Sequence, residues 1–310
     1  MATQAFGDRL DRWILKRGFR TQYPLWTLRL IEMRRMVADP VGYVKSFRSA
    51  RKVTNGSQWA DYIPKDSGYR LFDADAFPEL PQVVAACVDV YRKHENELSR
   101  GDKQVNKKYF YNILTTQDLH EHPILLDFAI SKSVVQAVTG YLGQVPRLAS
   151  LGVFYSEINE TVSGSQIFHV DGDALAQVKC FVNAWEVGPG GGAFTFISKR
   201  QTSEKLRNGG LLKTTTDDYV GRAIPDAKQI TATGPAGSGV FVDTSRCLHQ
   251  GSRAREHPRL VFQFQYVSRP DALIARAPNQ VVPGGHLNIT RRLIESIPLR
   301  NSESSSMCVN

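Results

Sequence analysis

The sequence has few cysteines and no long apolar run, and both absences narrow the kind of protein it can be. Four cysteines occur among 310 residues, far apart and without a Cys-x-x-Cys pair. A disulfide framework and a zinc knuckle are therefore not indicated, and we expect reduced thiols. No apolar run approaches the roughly 20 residues of a membrane span, and the N-terminus lacks a secretory-signal pattern. We therefore expect a cytoplasmic protein.

Positive charge is concentrated at the N-terminal end. The net charge is +9, and residues 1–52 contain twelve Lys or Arg against four acids. Apolar clusters in this segment fit short amphipathic helices, interrupted by Pro24 and Pro40. One interpretation is a docking surface for an anionic membrane, which would make the protein peripheral to that membrane, for a carrier protein, or for a phosphorylated substrate. The other is a solvated helical extension packed on the main domain.

The pattern along the chain predicts three regions. We expect a basic helical extension over 1–65, a main domain over 66–290, and a helix end with a disordered, serine-rich tail over 291–310. Apolar residues at helical spacing predict helices over Leu80–Leu98 and Ile124–Leu142, the second ending at Gly143.

Short β-rich runs dominate the second half of the chain. They predict strands over Ser150–Ile158, Gln166–Val170, Val178–Val187, Ala193–Ile197, Gly239–Asp243 and Leu260–Val267. Turn residues between them favour an antiparallel sandwich or barrel with a core over about 149–270. A polar, less regular insert is expected over 199–235.

Two histidines and one carboxylate form a candidate metal-ligand set. His169 and Asp171 lie two apart on a predicted strand, so their side chains project from the same face. His249 lies 80 positions downstream, after another predicted strand. Two imidazoles and one carboxylate make the facial triad of Fe(II) oxygenases, which leaves positions open for a cosubstrate and dioxygen.

A candidate anion anchor follows the distal histidine. Arg259 begins the strand ten residues after His249, and its guanidinium could pair with the far carboxylate of a dicarboxylic keto acid. Together, a metal triad and a spaced arginine are more specific than either part.

Three segments of the chain resemble the phytanoyl-CoA dioxygenase family. They are Ser165 to Asp173, Gly239 to Asp243, and Leu248 to Ser252 with Pro258-Arg259. The resemblance covers roughly Leu151 to Val267 and implies a mainly β protein with flanking helices around a double-stranded β-helix (jelly-roll) core. It also implies that His169, Asp171 and His249 hold Fe(II) and that Arg259 holds 2-oxoglutarate, with O2 as oxidant. Ser252 would assist Arg259, and Gln166 would approach the cosubstrate.

Two positions depart from the family pattern. Gly251 stands where members often carry a hydroxyl, with Ser252 one residue later, and Ile197 to Arg200 replaces the usual Pro-Gly-Ser-His turn. Neither departure touches the triad. Because Asp171 keeps the carboxylate that related halogenases lack, the resemblance favours hydroxylation of a small-molecule or carrier-linked substrate.

Two alternatives remain open. One is a cupin-type metal enzyme that takes no 2-oxoglutarate, against which Arg259 argues. The other is a degenerate β-helix protein that acts as a binding module. Nucleic-acid recognition is not indicated, because no helix-turn-helix, zinc finger or aromatic RNA-binding motif occurs.

Overall fold

The structure is a computed structural model that describes residues 33–34, 36–37, 40–99, 109–171, 176–207 and 214–268. Its helices are α1 (Pro40–Thr54), α2 (Leu80–Ser99), α3 (Thr116–Glu121), α4 (Ile124–Ala129), α5 (Lys132–Leu142), α6 (Lys199–Arg207) and α7 (Asp217–Ala223). Its strands are β1 (Tyr69–Phe72), β2 (Tyr111–Asn112), β3 (Arg147–Ser156), β4 (Phe168–His169), β5 (Gln177–Asn183), β6 (Thr195–Ile197), β7 (Thr214–Thr215), β8 (Gln229–Thr231), β9 (Gly239–Val242), β10 (His249–Gln250) and β11 (Arg259–Val267).

The strands form two antiparallel sheets. The larger has six strands in the order β1-β9-β5-β11-β3-β2, and the smaller has five in the order β7-β4-β10-β6-β8. The chain passes from β3 in the larger sheet to β4 in the smaller, and from β5 in the larger to β6 in the smaller. It then continues through β8 in the smaller sheet and β9, β10 and β11 in alternate sheets. This crossing pattern is the double-stranded β-helix, so the predicted fold class is confirmed.

Alternating side chains on β11 separate the core from the cavity. Phe262 and Phe264 belong to the largest apolar cluster with residues of α2, α4 and α5, and the Phe264 ring lies 5.8 Å from the Phe128 ring of α4. The helices therefore cover the outer face of the larger sheet. Arg259 and Gln263 point the other way and line a cavity, as the period of two along a strand requires.

A second apolar cluster joins the two sheets. Phe181 of β5 stacks on Phe194, which directly precedes β6, with ring centroids 4.3 Å apart. Phe196 and Val240 belong to the same buried cluster. This cluster therefore holds the two sheets together beside the cavity, which Phe181 and Phe194 also line.

The structure divides the predicted 124–142 helix in two. Ser131 has an extended ψ, and its hydroxyl accepts a hydrogen bond from the Val134 N–H, so it caps a new helix. The resulting helices are α4 and α5, and α5 ends at Gly143 with a φ of 70°, as expected.

Several short strands were missed by the sequence prediction. His249 lies within the two-residue strand β10, whereas the sequence placed it after a strand. Strand β8 lies inside the predicted polar insert 199–235 and pairs with β6. The division of the chain into three regions stays a prediction, because residues 1–32 and 269–310 lie outside the described residues. Within the described part, no helix combines the length and the apolar character that crossing a bilayer requires.

Candidate metal centre

Two strands of the smaller sheet bring the predicted triad together. His249 on β10 lies directly opposite His169 on β4, and their ring centroids are 4.3 Å apart. Asp171 follows β4 and is fixed by its own N–H, which donates to the carbonyl of Thr244 at 2.9 Å. One donor atom from each of His169, Asp171 and His249 lies within 4.8 Å of the others.

Both histidine rings are held in one orientation by the backbone. Nδ1 of His169 lies 2.7 Å from the carbonyl of Ile167, and Nδ1 of His249 lies 2.8 Å from that of Cys247. A carbonyl oxygen only accepts, so each Nδ1 carries the proton and each Nε2 presents its lone pair. The two Nε2 atoms lie 3.7 Å from opposite oxygens of the Asp171 carboxylate.

The Asp171 carboxylate is itself positioned by two side chains of β5. Its Oδ2 lies 2.7 Å from Lys179 Nζ and accepts a hydrogen bond of 2.9 Å from Gln177 Nε2. Burial would raise the pKa of Asp171, but the charge of Lys179 and the neighbouring imidazoles outweigh burial and lower it. The carboxylate is therefore ionised at neutral pH.

Burial acts on the pKa of His249 in the opposite direction from its effect on a carboxyl group. It lowers the pKa of this imidazole to about 3, despite the attraction of Asp171. A neutral imidazole is the form that binds a metal ion, so the ligand state is already present at neutral pH.

The sequence prediction missed Gln177 and Lys179. The signal was present, since these polar residues alternate with the apolar Val178 and Cys180 along a strand that is otherwise buried. Polar side chains at every second position of a core strand indicate a polar inner face. Gln177 in turn accepts a hydrogen bond from Gln265 at 3.0 Å, which extends the network into β11.

Arg259 enters the same cavity as the triad. The cavity has a volume of about 540 Å³ and is lined by His169, Asp171, His249, Arg259 and Ser252 among others. Arg259 is buried, and its Nη2 donates to Ser252 Oγ at 3.2 Å. Its Nε has no hydrogen-bond partner, and no ion pair joins it to a carboxylate of the described residues.

An unpaired buried guanidinium is a strong indication of an anion site. Burial lowers the pKa of Arg259 to about 10, so the side chain keeps its charge at neutral pH. A buried charge without a partner is costly, and a bound carboxylate would remove that cost through paired hydrogen bonds.

Ser252 holds its predicted place beside Arg259 in an uncommon backbone conformation. Among the described residues it is the one non-glycine with a positive φ, 62°. Its N–H donates to Gly192 at 3.1 Å, and its carbonyl accepts from Gln166 Nε2 at 2.9 Å. These contacts stabilise a conformation that costs about 1–2 kcal/mol.

Gln166 is not brought to the cavity. Its buried side chain is used by the loop around it: Oε1 accepts from Thr161 and Ser163, and Nε2 donates to Asn159 and to the Ser252 carbonyl. Gln166 is not among the residues that line the cavity, and its approach to the cosubstrate stays a prediction. Gln166 positions Ser252, which positions Arg259.

Aromatic side chains form much of the remaining cavity wall. Phe110 stacks on Phe154 with centroids 4.4 Å apart, and the stacked pair of Phe181 and Phe194 also lines the cavity. Asn112 and Gln263 add amide groups. The cavity size and this lining suit a small organic molecule.

The donor set fits a divalent first-row metal with open coordination positions. Two neutral imidazole nitrogens and one carboxylate converge, and the carboxylate is already fixed by neighbouring groups. His257, the other histidine near Arg259, is exposed and takes no part in the cluster. The sequence prediction of His249 over His257 therefore agrees with the geometry.

Comparison with known proteins gives distant likenesses. No protein-family profile and no curated protein matches the chain. Among solved structures, the chain is similar to the epimerase SnoN in complex with Fe3+, alpha ketoglutarate and nogalamycin RO, at 15% identity and a TM-score of 0.49 over 79% of this chain and 95% of that one.

Two further structures are similar at the same level. EctD from S. alaskensis with bound Fe is 14% identical over 72% of this chain and 84% of that one, with a TM-score of 0.46. HygX from Streptomyces hygroscopicus with nickel and 2-oxoglutarate is 15% identical over 68% of this chain and 87% of that one, with a TM-score of 0.41.

Proposed function

We propose that the protein is an Fe(II)- and 2-oxoglutarate-dependent oxygenase that hydroxylates a C–H bond of a small-molecule or carrier-linked substrate, with release of succinate and CO2. The observation that carries the proposal is a His-Asp-His cluster in the same cavity as a buried arginine that pairs with no carboxylate of the described residues. The His-Asp-His cluster would bind Fe(II), and the arginine would bind 2-oxoglutarate.

His169, Asp171 and His249 would hold the iron, which supplies the dioxygen chemistry that protein side chains lack. Gln177 and Lys179 keep the Asp171 carboxylate ionised and oriented. The carbonyls of Ile167 and Cys247 keep both Nε2 atoms aimed at the same point. The chain therefore offers its ligands already arranged.

Arg259 would bind the distal carboxylate of 2-oxoglutarate, with Ser252 fixing the guanidinium. The aromatic walls would limit the access of water to the reacting groups, and the volume of about 540 Å³ would accommodate a substrate beside the cosubstrate. Membership in the phytanoyl-CoA dioxygenase family is part of this proposal, and so is hydroxylation in preference to halogenation, for which the Asp171 carboxylate argues.

The proposal is tested by succinate formation from 2-oxoglutarate in the presence of Fe(II) and dioxygen. Wild-type protein should form succinate slowly even without substrate, and His169→Ala and Asp171→Ala should reduce that rate to background. His257→Ala is the matched control, because this histidine is exposed and lies outside the cluster. It should keep the wild-type rate.

The outcomes also separate the alternatives. Metal binding that depends on His169 without any 2-oxoglutarate binding would favour the cupin-type enzyme. Absence of metal binding in the wild type, under anaerobic titration with Fe(II), would favour a binding module. Either result would end the oxygenase proposal.

A further inference from the structure

Exposed apolar side chains are concentrated just before and within α1. The structure describes nine large apolar side chains as exposed, and six of them lie between residues 33 and 47. These six are Met33, Met36, Val37, Val41, Val44 and Phe47. A concentration of this kind on a soluble domain indicates an interaction surface.

Helix α1 carries its exposed apolar groups and its charges on the same side. Val41 is 62% exposed, Val44 46% and Phe47 50%, and at three-residue spacing they follow one face of the helix. Four basic residues share or flank that face: Lys45, Arg48, Arg51 and Lys52, all exposed. No acidic residue occurs between Pro40 and Thr54.

The opposite side of α1 fixes the helix to the rest of the domain. Ala50 is buried, and the Val53 carbonyl accepts a hydrogen bond of 2.8 Å from Gln136 Nε2 of α5. Gln136 also accepts from Ser57 at 2.7 Å, just after the helix. A ligand bound by the exposed side would therefore hold the whole domain, because α1 is packed on it.

We propose that this face of α1, defined by Val41, Val44, Phe47, Lys45, Arg48, Arg51 and Lys52, docks on an anionic lipid surface. Apolar groups that insert at the headgroup level, together with cations and without acids, are the requirements for binding in the plane of an anionic membrane. Charge complementarity selects the lipid, since a neutral apolar partner would leave four cations unused.

The position of α1 gives the docked protein a defined orientation. Helix α1 packs on α5, which covers the outer face of the larger sheet. The cavity lies on the inner face of that sheet. Docking through α1 would thus place the lipid on the helical side of the larger sheet, opposite the face that lines the cavity. The proposal does not depend on the metal chemistry.

Vesicle co-sedimentation of the full-length protein tests the proposal. At low salt, the protein should bind vesicles of phosphatidylglycerol mixed with phosphatidylcholine and should not bind phosphatidylcholine alone. Arg48→Glu with Arg51→Glu should weaken binding at least about tenfold. Arg222→Glu with Lys228→Glu is the matched control, because it makes the same change of charge at exposed positions outside α1.

A second pair of variants tests the apolar contribution. Val44→Gln with Phe47→Gln should retain the charges and weaken binding at high salt, where only the apolar contact persists. Ile158→Gln with Val162→Gln is the matched control, because it removes two exposed apolar groups outside α1. It should leave vesicle binding unchanged. All four variants alter exposed side chains, so thermal unfolding should show wild-type stability.

The proposal is overturned if the protein does not bind the anionic vesicles, or if the α1 variants bind as well as their controls. Binding to an acidic carrier protein in place of vesicles would assign the surface to that partner and overturn the lipid assignment. If the wild type self-associates without binding vesicles, and Val44→Gln with Phe47→Gln loses that self-association, the face of α1 would be assigned to a second copy of the chain and the lipid assignment would be overturned. Succinate formation, measured on the same preparations, tests the oxygenase proposal separately from the vesicle binding.

Discussion

The Nζ of Lys179 lies 2.7 Å from Oδ2 of Asp171, inside the cavity. Gln177, two residues earlier on the same strand, donates to the same oxygen at 2.9 Å. Together these groups occupy Oδ2 and leave Oδ1 directed toward His169. The polar inner face of β5 therefore determines the orientation of the carboxylate in the proposed metal site.

Loss of the Gln177 hydrogen bond should weaken metal binding. We expect Gln177→Leu to reduce the affinity for Fe(II) by about 10–100-fold, the usual effect of removing a group that orients a metal ligand. Anaerobic metal titration measures it, with the exposed Gln117→Leu as control. Unchanged affinity in Gln177→Leu would show that Asp171 does not depend on this contact.

Removal of the Arg259 guanidinium should act on the cosubstrate. We expect Arg259→Met to raise the KM for 2-oxoglutarate by at least about thirtyfold, because truncating one partner of a buried charge pair costs about 2–5 kcal/mol. Arg259→Lys should fall between, since it keeps the charge without the fork. Succinate formation over a range of 2-oxoglutarate concentrations measures both, and an unchanged KM in Arg259→Met would contradict the assignment.

Two substitutions at Ser252 separate its hydroxyl from its backbone conformation. Both Ser252→Ala and Ser252→Gly should raise the KM for 2-oxoglutarate, by about tenfold for loss of a hydrogen bond to a charged group. Only Ser252→Gly relieves the positive φ of 62°. We therefore expect a higher Tm for Ser252→Gly than for Ser252→Ala. Equal KM values for Ser252→Ala and wild type would exclude the hydroxyl from cosubstrate binding.

The buried Asp118 should stabilise the fold in a pH-dependent way. Burial would raise its pKa, but contacts from His94, Lys93 and Thr115 outweigh it and lower the pKa below the usual range. A lowered carboxyl pKa gives a contribution that is present above the unfolded pKa of about 4 and is lost as the pH falls toward the folded value.

We expect Asp118→Ala to lose about 3 kcal/mol of the free energy of unfolding at neutral pH. The difference from wild type should shrink as the pH is lowered below about 4. Chemical denaturation at several pH values measures this, with the exposed Asp61→Ala as control. A difference that does not change with pH would show that the ion pairs contribute nothing.

The sequence was informative where residue type and spacing carry the chemistry. His169 and Asp171 lie two apart, and the structure brings them to His249, as that spacing and a returning strand predict. The long strands β3, β5 and β11 showed enough apolar alternation to be predicted, which was sufficient for the fold class. Arg259 was predicted from its residue type and its position ten residues after His249, whereas Ser252 came from the family resemblance, and the structure places the two in contact.

The missed features depend on contacts between distant parts of the chain. Strand β10 has two residues, too few for any periodicity, and it exists because both β4 and β6 pair with it. The break before α5 depends on one capping serine within an apolar pattern that continues across it. The sequence also did not reveal that the Gln166 amide makes hydrogen bonds to Asn159, Thr161, Ser163 and the Ser252 backbone.

Each imidazole of the triad is held by the backbone carbonyl of the residue two positions earlier in the sequence. The donor geometry is therefore inherited from the strand pairing and does not require the ion to form. We therefore expect the protein to fold before it binds the proposed metal, unlike zinc fingers, in which the ion drives folding. A sample treated with a chelator should accordingly remain folded. Adding Fe(II) back should restore succinate formation without any refolding step.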